Sequence, residues 1–223
     1  MIIWTSNDPI LKDEGSFGLD ADVISTVSTD DAHSWADKIT GVNIDFTKDS
    51  GEANEIAYSI ATDDRGNWLT AWWESLVVEG GFDGDIGYSW SKGGSAWNFA
   101  GYINPNYARD PDCRDDQPYV TFGGSYFAIS YLTYCAQPSL VTATIAFTGD
   151  VGLSWQYFDY IKMMPDIGGT SPFDAALEYF PKSQLFYTAV TSPSGNKQMH
   201  RLASGNLRYR FCGVSSYNSH ILS

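Results

Sequence analysis

The chain has 223 residues, with 27 acidic and 13 basic side chains, a formal net charge of −14 and a 15% share of aromatic residues. This aromatic content excludes a mainly disordered chain, and the charge would repel a phosphate backbone, which excludes nucleic acid as a partner. No run of about 18 apolar residues occurs, so we expect no membrane span. Residues 1–5 lack the basic and long apolar regions of a secretory signal.

Short segments rich in β-formers and bounded by Gly, Asp, Asn or Pro predict strands along most of the chain. The predicted strands are residues 54–62, 67–74, 84–91, 97–103, 117–123, 125–134, 140–148 and 155–162. Residues 172–180 also read as a strand, with a short helix as the alternative. We therefore predict an all-β protein.

A turn of the pattern hydroxyl-x-Asp-x-small-x-Ser-Trp recurs about every 60 residues. The motif residues are Ser28, Asp30 and Trp35 in the first copy, Ser91 and Trp97 in a second copy without the aspartate, and Thr148, Asp150, Gly152 and Trp155 in the third. A fourth, degenerate copy is predicted in residues 201–211. Asp and Ser/Thr side chains can close such a turn by bonding backbone N–H groups. We therefore assign the motif a structural role, with direct ligand contact as the less favoured alternative.

Each period holds four predicted strands, which is typical of the blade of a β-propeller. The sequence thus predicts a single β-propeller domain, or part of one, built from four-stranded antiparallel blades. The predicted blades are residues 1–46, 47–104, 105–165 and 166–223. Residues 1–5 align with the second strand of the next blade, so the first blade is predicted to lack its innermost strand.

These turns, and the segment 64–75 that precedes the second one, resemble the Asp-box (BNR) repeats of sialidase-like β-propellers. The resemblance is strong over residues 1–103, moderate to about 162 and weak afterwards. It implies that the turns join the third and fourth strands of a blade on the face away from the active site. The ligand side would then be formed by residues 7–21, 76–84, 104–116, 135–139, 163–172 and 192–197.

Sialidases bind a carboxylated sugar through three arginines and use a tyrosine paired with a glutamate as nucleophile and an aspartate as acid/base. The Arg-Ile-Pro motif that usually carries the first arginine is absent from this sequence. The ligand-side segment 104–118 concentrates charge, and the ligand-binding candidates within it are Arg109, Arg114, Asp115 and Asp116. Asp110 and Asp112 lead the candidates for a Ca²⁺ site, since carboxylates suit this cation. The alternative is a solvated loop whose ion pairs contribute little.

The resulting hypothesis is a sialidase-like propeller that binds a glycan or a protein, or serves a structural role, and is non-catalytic as this chain. The alternative is a glycoside hydrolase of the exo-sialidase class, complete only with further sequence or a second chain. No cofactor is required, with Ca²⁺ as a candidate. Self-association through open blade edges is a further prediction, and by resemblance the location is secreted or cell-surface. The three cysteines permit one disulfide with a spare thiol, or three reduced thiols.

Overall fold

The computed structural model describes residues 1–6, 21–36, 40–42, 54–78, 81–94, 96–103, 113–135, 140–163, 174–182, 184–191 and 197–203. These residues form strands and turns without a helix, which confirms the all-β class. The strands are β1 (Ile2–Ser6), β2 (Asp22–Thr26), β3 (Thr40–Gly41), β4 (Asn54–Thr62), β5 (Asn67–Val78), β6 (Gly81–Lys92), β7 (Trp97–Tyr102), β8 (Cys113–Gly123), β9 (Tyr126–Cys135), β10 (Leu140–Thr148), β11 (Gln156–Met163), β12 (Asp174–Phe180), β13 (Leu185–Thr191) and β14 (Lys197–Ala203). Within this described part, nothing meets the length and apolarity that a membrane-crossing helix needs.

The strands form four antiparallel sheets in which neighbours in sequence are neighbours in space. The first sheet contains β1 to β3, the second β4 to β7, the third β8 to β11 and the fourth β12 to β14. Within the predicted segment 172–180, the described residues Asp174–Phe180 form a strand rather than a helix. The fourth predicted turn, in residues 201–211, falls mostly outside the described residues.

Apolar side chains fill the space between successive sheets. Trp72 packs with Val23 and Val42 between the first and second sheets. A larger cluster, which includes Leu69, Ile86 and Ile129, lies between the second and third sheets. Ile145, Leu177 and Phe186 are buried between the third and fourth sheets. The second and third sheets therefore bury residues on both faces.

The strands that open the last three sheets lie side by side, because β8 contacts β4 and β12. The Ser59 hydroxyl joins two of them: it accepts a hydrogen bond from the Val120 N–H at 3.0 Å and contacts the Val120 carbonyl at 3.3 Å. Both β4 and β8 carry a break in register, at residues 57–59 and 116–119. Such bulges bend a strand and increase its twist.

A disulfide joins Cys113 and Cys135, which face each other at the start of β8 and the end of β9. This excludes the alternative of three reduced thiols. The third cysteine, Cys212, lies outside the described residues. The cross-link fixes the pairing register of β8 and β9 at the end of the sheet where both strands meet undescribed connections.

Candidate functional site

The turns of residues 28–35 and 148–155 contain the same hydrogen bonds. In the third sheet, the Thr148 hydroxyl accepts from the Gly152 N–H at 2.8 Å and donates to Asp150 Oδ1 at 2.6 Å. Asp150 in turn accepts from the Ser154 N–H at 2.9 Å and the Ser154 hydroxyl at 2.6 Å. The first sheet repeats these bonds.

In that first copy, Ser28 takes the place of Thr148 and donates to Asp30 at 2.7 Å. Asp30 accepts from the Ser34 N–H at 2.8 Å and from its hydroxyl at 2.5 Å. The hydrogen bonds of Ser34 and Ser28 lower the pKa of Asp30 to about 2. Those of Ser154 and Thr148 lower the pKa of Asp150 to about 2. Each carboxylate therefore stabilises the turn that contains it.

The small residue of the motif adopts a left-handed backbone conformation. Gly152 has φ of 92°, and Ala32 occupies the equivalent position with φ of 67°. A Cβ added at Gly152 would lie 2.9 Å from the Tyr88 ring, so glycine is needed there for space as well as for conformation. The second turn, which lacks the aspartate, uses Gly93 and Gly94 at φ of 80° and 77°.

The tryptophans that end the second and third turns pack on the preceding sheet. Trp97 Nε1 donates to the Ser25 hydroxyl of β2 at 2.8 Å. Trp155 meets Tyr88 of β6 edge to face at 5.2 Å, and the Tyr88 hydroxyl donates to the Gly152 carbonyl at 3.0 Å. Trp35 differs, because 40% of its surface is exposed. The turns therefore join successive sheets at one end of the strands, which we call the turn end.

The opposite end, called the loop end, carries the described ligand candidates. The sequence places Arg114, Asp115 and Asp116 in a loop, but the structure places them in β8, which begins at Cys113. The disulfide partner Cys135 extends the pairing of β8 with β9 to this point. The pairing with β9 holds the three residues in a fixed register on β8, the strand that contacts both neighbouring sheets.

Arg114 is exposed at the loop end, and its guanidinium carbon lies 5.0 Å from the centre of the Tyr134 ring on β9. This cation–π contact restrains the exposed side chain. Arginine binds carboxylates through two parallel hydrogen bonds. The pair is therefore suited to an anionic group.

Asp115 and Asp116 are placed differently. Asp115 is 1% exposed and accepts a hydrogen bond from the Thr133 hydroxyl at 2.5 Å. Its backbone carbonyl packs so closely on Gly84 that a Cβ there would lie 3.2 Å away. Asp116 is partly buried and accepts from the Gln117 N–H at 2.8 Å, at the bulge of β8. The structure thus brings Arg114 to the surface and Asp115 into the contact between two sheets.

A second polar group at the loop end was not singled out in the sequence. Glu74 of β5 and Asp85 of β6 are buried cross-strand neighbours. The Tyr102 hydroxyl of β7 donates to Glu74 Oε1 at 2.8 Å. The signal in the sequence was Glu74 itself, a charge directly after the apolar run 68–73.

Three of the predicted site residues, Arg109, Asp110 and Asp112, lie outside the described residues. In the part of the chain that the structure does describe, no three His, Cys, Asp or Glu side chains are grouped in a way that could hold a metal ion. Ca²⁺ binding by residues 110–116 stays a prediction.

Among the comparisons with known proteins, the one with solved structures indicates the fold. No family model matches the sequence, and no curated protein matches it. Among solved structures, the chain is similar to Trypanosoma rangeli sialidase in complex with 2,3-difluorosialic acid, with 9% identity, a TM-score of 0.58 and coverage of 91% of this chain and 34% of that one. The same sialidase in complex with sialic acid gives 8% identity, a TM-score of 0.53 and coverage of 86% and 32%.

The chain therefore has a sialidase-like β-propeller fold. It spans about a third of the length of the sialidase that it matches. At this level of identity the similarity extends to the fold alone, and the function of this chain has to come from its own residues.

Proposed function

We propose that this chain is a glycan-binding propeller module that recognises a carboxylated sugar at its loop end and does not hydrolyse it alone. The observation that carries the proposal is the exposed Arg114 guanidinium held over Tyr134. An arginine restrained by an aromatic ring loses little further freedom when it forms a bidentate contact with a carboxylate. The sialidase with the same fold is known in complex with sialic acid, which suggests this class of ligand.

The non-catalytic role is supported by the placement of Arg65 and Arg114, the arginines whose side chains the structure describes. Arg65 is exposed in the turn between β4 and β5, at the turn end. The nine residues of β4 separate the two ends by about 30 Å, at roughly 3.3 Å per residue. Arg65 and Arg114 therefore cannot both bind the same carboxylate. Asp115 is buried and bonded to Thr133, an arrangement suited to positioning β8.

The disulfide supports a location outside the cytosol. Disulfides form and persist in secreted, periplasmic and surface proteins and are rare in the cytosol. Cys113 and Cys135 are both partly buried at the loop end, so their cross-link also stabilises the strand ends that flank the proposed site. We therefore propose a secreted or cell-surface protein.

The experiment is a binding titration with sialylated glycans and their desialylated counterparts. Binding is expected to require the sialic acid, to be lost in Arg114→Ala and to be only weakened in Arg114→Lys, which keeps the charge without the planar fork. Arg65→Ala is the matched control, since it removes an exposed guanidinium from the turn end. Equal binding by Arg114→Ala and the unmodified chain would overturn the proposed site. A lack of binding to every glycan would overturn the proposed function.

A second candidate is a glycoside hydrolase that needs further sequence or a second chain. The hydrogen bond from Tyr102 to Glu74 favours this candidate. A carboxylate that accepts a hydrogen bond from a phenol can activate the phenol oxygen as a nucleophile. The test is hydrolysis of a fluorogenic sialoside by the chain and by Tyr102→Phe. Turnover that disappears in the phenylalanine variant, with unchanged thermal stability, would support this candidate. Lack of turnover at chain concentrations where a dimer or larger assembly is present counts against the second-chain form of this candidate.

A further inference from the structure

The strand β8 pairs with β9 in two pieces. The piece at the loop end joins residues 113–116 of β8 to residues 132–135 of β9 through four cross-strand pairs. The pairing resumes at Tyr119, after a bulge that contains Gln117 and Pro118. We call residues 113–116 the loop-end segment. This segment carries the arginine of the proposed site, so whatever holds the segment in place also holds the site.

The bulge separates the loop-end segment from the rest of β8. Gln117 has a left-handed backbone conformation, with φ of 54°, which is unfavourable for a residue other than glycine. Pro118 has no N–H and cannot donate a hydrogen bond to the neighbouring strand. A bulge disrupts the pairing of the strands locally. The loop-end segment therefore gains little support from the pairing that lies beyond the bulge.

Tyr134 and Arg114 are held in different ways. In the described third sheet, β8 lies at the edge, whereas β9 lies between β8 and β10. The pairing of β9 with β10 runs from Cys135 to Phe127 without a break in register. Tyr134 also packs against the apolar cluster between the third and fourth sheets. Tyr134 thus keeps its position independently of β8, while Arg114 moves with the loop-end segment.

The disulfide closes the loop-end piece at its outer end, where Cys113 pairs with Cys135. The next pair along the two strands is Arg114 with Tyr134, the two residues of the proposed site. Ends of secondary structure open locally at a low free-energy cost. A cation–π contact at an exposed position is too weak to prevent such opening. The covalent bond is therefore what keeps the guanidinium over the tyrosine ring.

We propose that the Cys113–Cys135 disulfide positions Arg114, so that glycan binding requires the oxidised chain. This inference rests on the proposed function of Arg114. Both cysteines are partly exposed, within reach of a dithiol reductant. The dithiol gives up two electrons and two protons and becomes a disulfide, while the S–S bond of the chain breaks into two thiols. The loop-end segment then opens, which separates Arg114 from Tyr134 and breaks the hydrogen bond that Asp115 accepts.

The first test needs no ligand. NMR spectra are compared for the oxidised chain, the dithiol-reduced chain and the double variant Cys113→Ser with Cys135→Ser. The oxidised chain should show nuclear Overhauser contacts between the Arg114 side chain and the Tyr134 ring. The other two forms should lose these contacts and exchange the amide hydrogens of the loop-end segment faster, while the Trp155 indole signal at the turn end stays in place. Retained contacts would overturn the proposal, and so would a loss of the native Trp155 signal, which reports global unfolding.

The second test measures the Kd for a sialylated oligosaccharide on the same three forms. Without the cross-link, Kd should rise at least about tenfold, the factor expected when about a tenth of the molecules or fewer are closed. Reoxidation of the reduced chain should restore the original Kd. Tyr88→Phe is the matched control, because it removes a hydrogen bond at the turn end and should lower Tm with Kd unchanged.

The outcomes separate this inference from the proposed function. An unchanged Kd in the reduced chain would overturn the inference, and so would an equal rise in Kd in Tyr88→Phe, since the effect would then follow from stability alone. If the oxidised chain binds no glycan, the proposed function fails. The NMR contacts between Arg114 and Tyr134 then still decide whether the disulfide positions the arginine.

Discussion

Replacing Asp150 with asparagine removes the charge that holds the third turn while keeping the shape of the side chain. The carboxylate accepts three hydrogen bonds, from the Ser154 N–H, the Ser154 hydroxyl and the Thr148 hydroxyl. At this exposed position each contributes about 0.5–1 kcal/mol, less than a buried bond to a charged group. An amide keeps about half of the summed contribution, so Asp150→Asn should cost about 0.8–1.5 kcal/mol. For a chain of this length that lowers Tm by about 2–6 °C.

The pH dependence gives the same prediction a second readout. Because hydrogen bonds lower the pKa of Asp150 from 3.8 to about 2, its contribution is complete above pH 3.8 and is lost as the pH falls through about 2. The difference in Tm between the chain and Asp150→Asn, measured by scanning calorimetry, should be constant from pH 7 to pH 5 and narrow below pH 4. Asp31→Asn is the control, since it makes the same charge change beside Asp30 at a φ of 55° that asparagine tolerates. Equal Tm values for Asp150→Asn and the unmodified chain at pH 7 would refute the role assigned to the carboxylate.

The remaining predictions concern conformation and cross-linking. Ala32→Gly should stabilise the chain by about 0.5–1 kcal/mol, because it relieves the strain of an alanine in the left-handed conformation. Gly152→Ala should lower Tm, because it adds both conformational strain and a clash. Thermal unfolding of both variants tests the comparison. Tyr88→Phe should cost about 1–2 kcal/mol in urea unfolding, since it leaves the buried Gly152 carbonyl without its donor. Thiol titration of the unfolded, unreduced chain should find one free thiol, and three after reduction. Joint replacement of Cys113 and Cys135 by serine should cost about 3 kcal/mol, the value for a closed loop of this length; an unchanged unfolding midpoint would contradict a structural role for the cross-link.

Local chemistry is what made the turns predictable from sequence. The bonds among Thr148, Asp150 and Ser154 span four residues and recur wherever that spacing recurs. The strands could be predicted for a related reason: the Gly, Asp and Asn clusters that end each strand form turns within a few residues. The all-β class and most strand positions follow from these short-range signals.

Contacts between distant residues explain what the sequence did not predict. Arg114 and Asp115 read as loop residues because their strand depends on pairing with residues near Cys135. The Glu74–Tyr102 hydrogen bond joins two different strands, so no local sequence motif predicts it. Trp35 is 40% exposed whereas Trp97 and Trp155 are partly buried, and the turn motif carries no information about this difference.

The most direct test of the account locates a bound glycan on the protein. In an NMR titration of the labelled chain with a sialylated oligosaccharide, we expect the side-chain signals of Arg114 and the resonances of Tyr134 to shift. The indole N–H signals of Trp97 and Trp155, which lie at the turn end, should stay in place. Shifts confined to those indoles, with Arg114 unchanged, would contradict the assignment of binding to the loop end and of structural work to the turns.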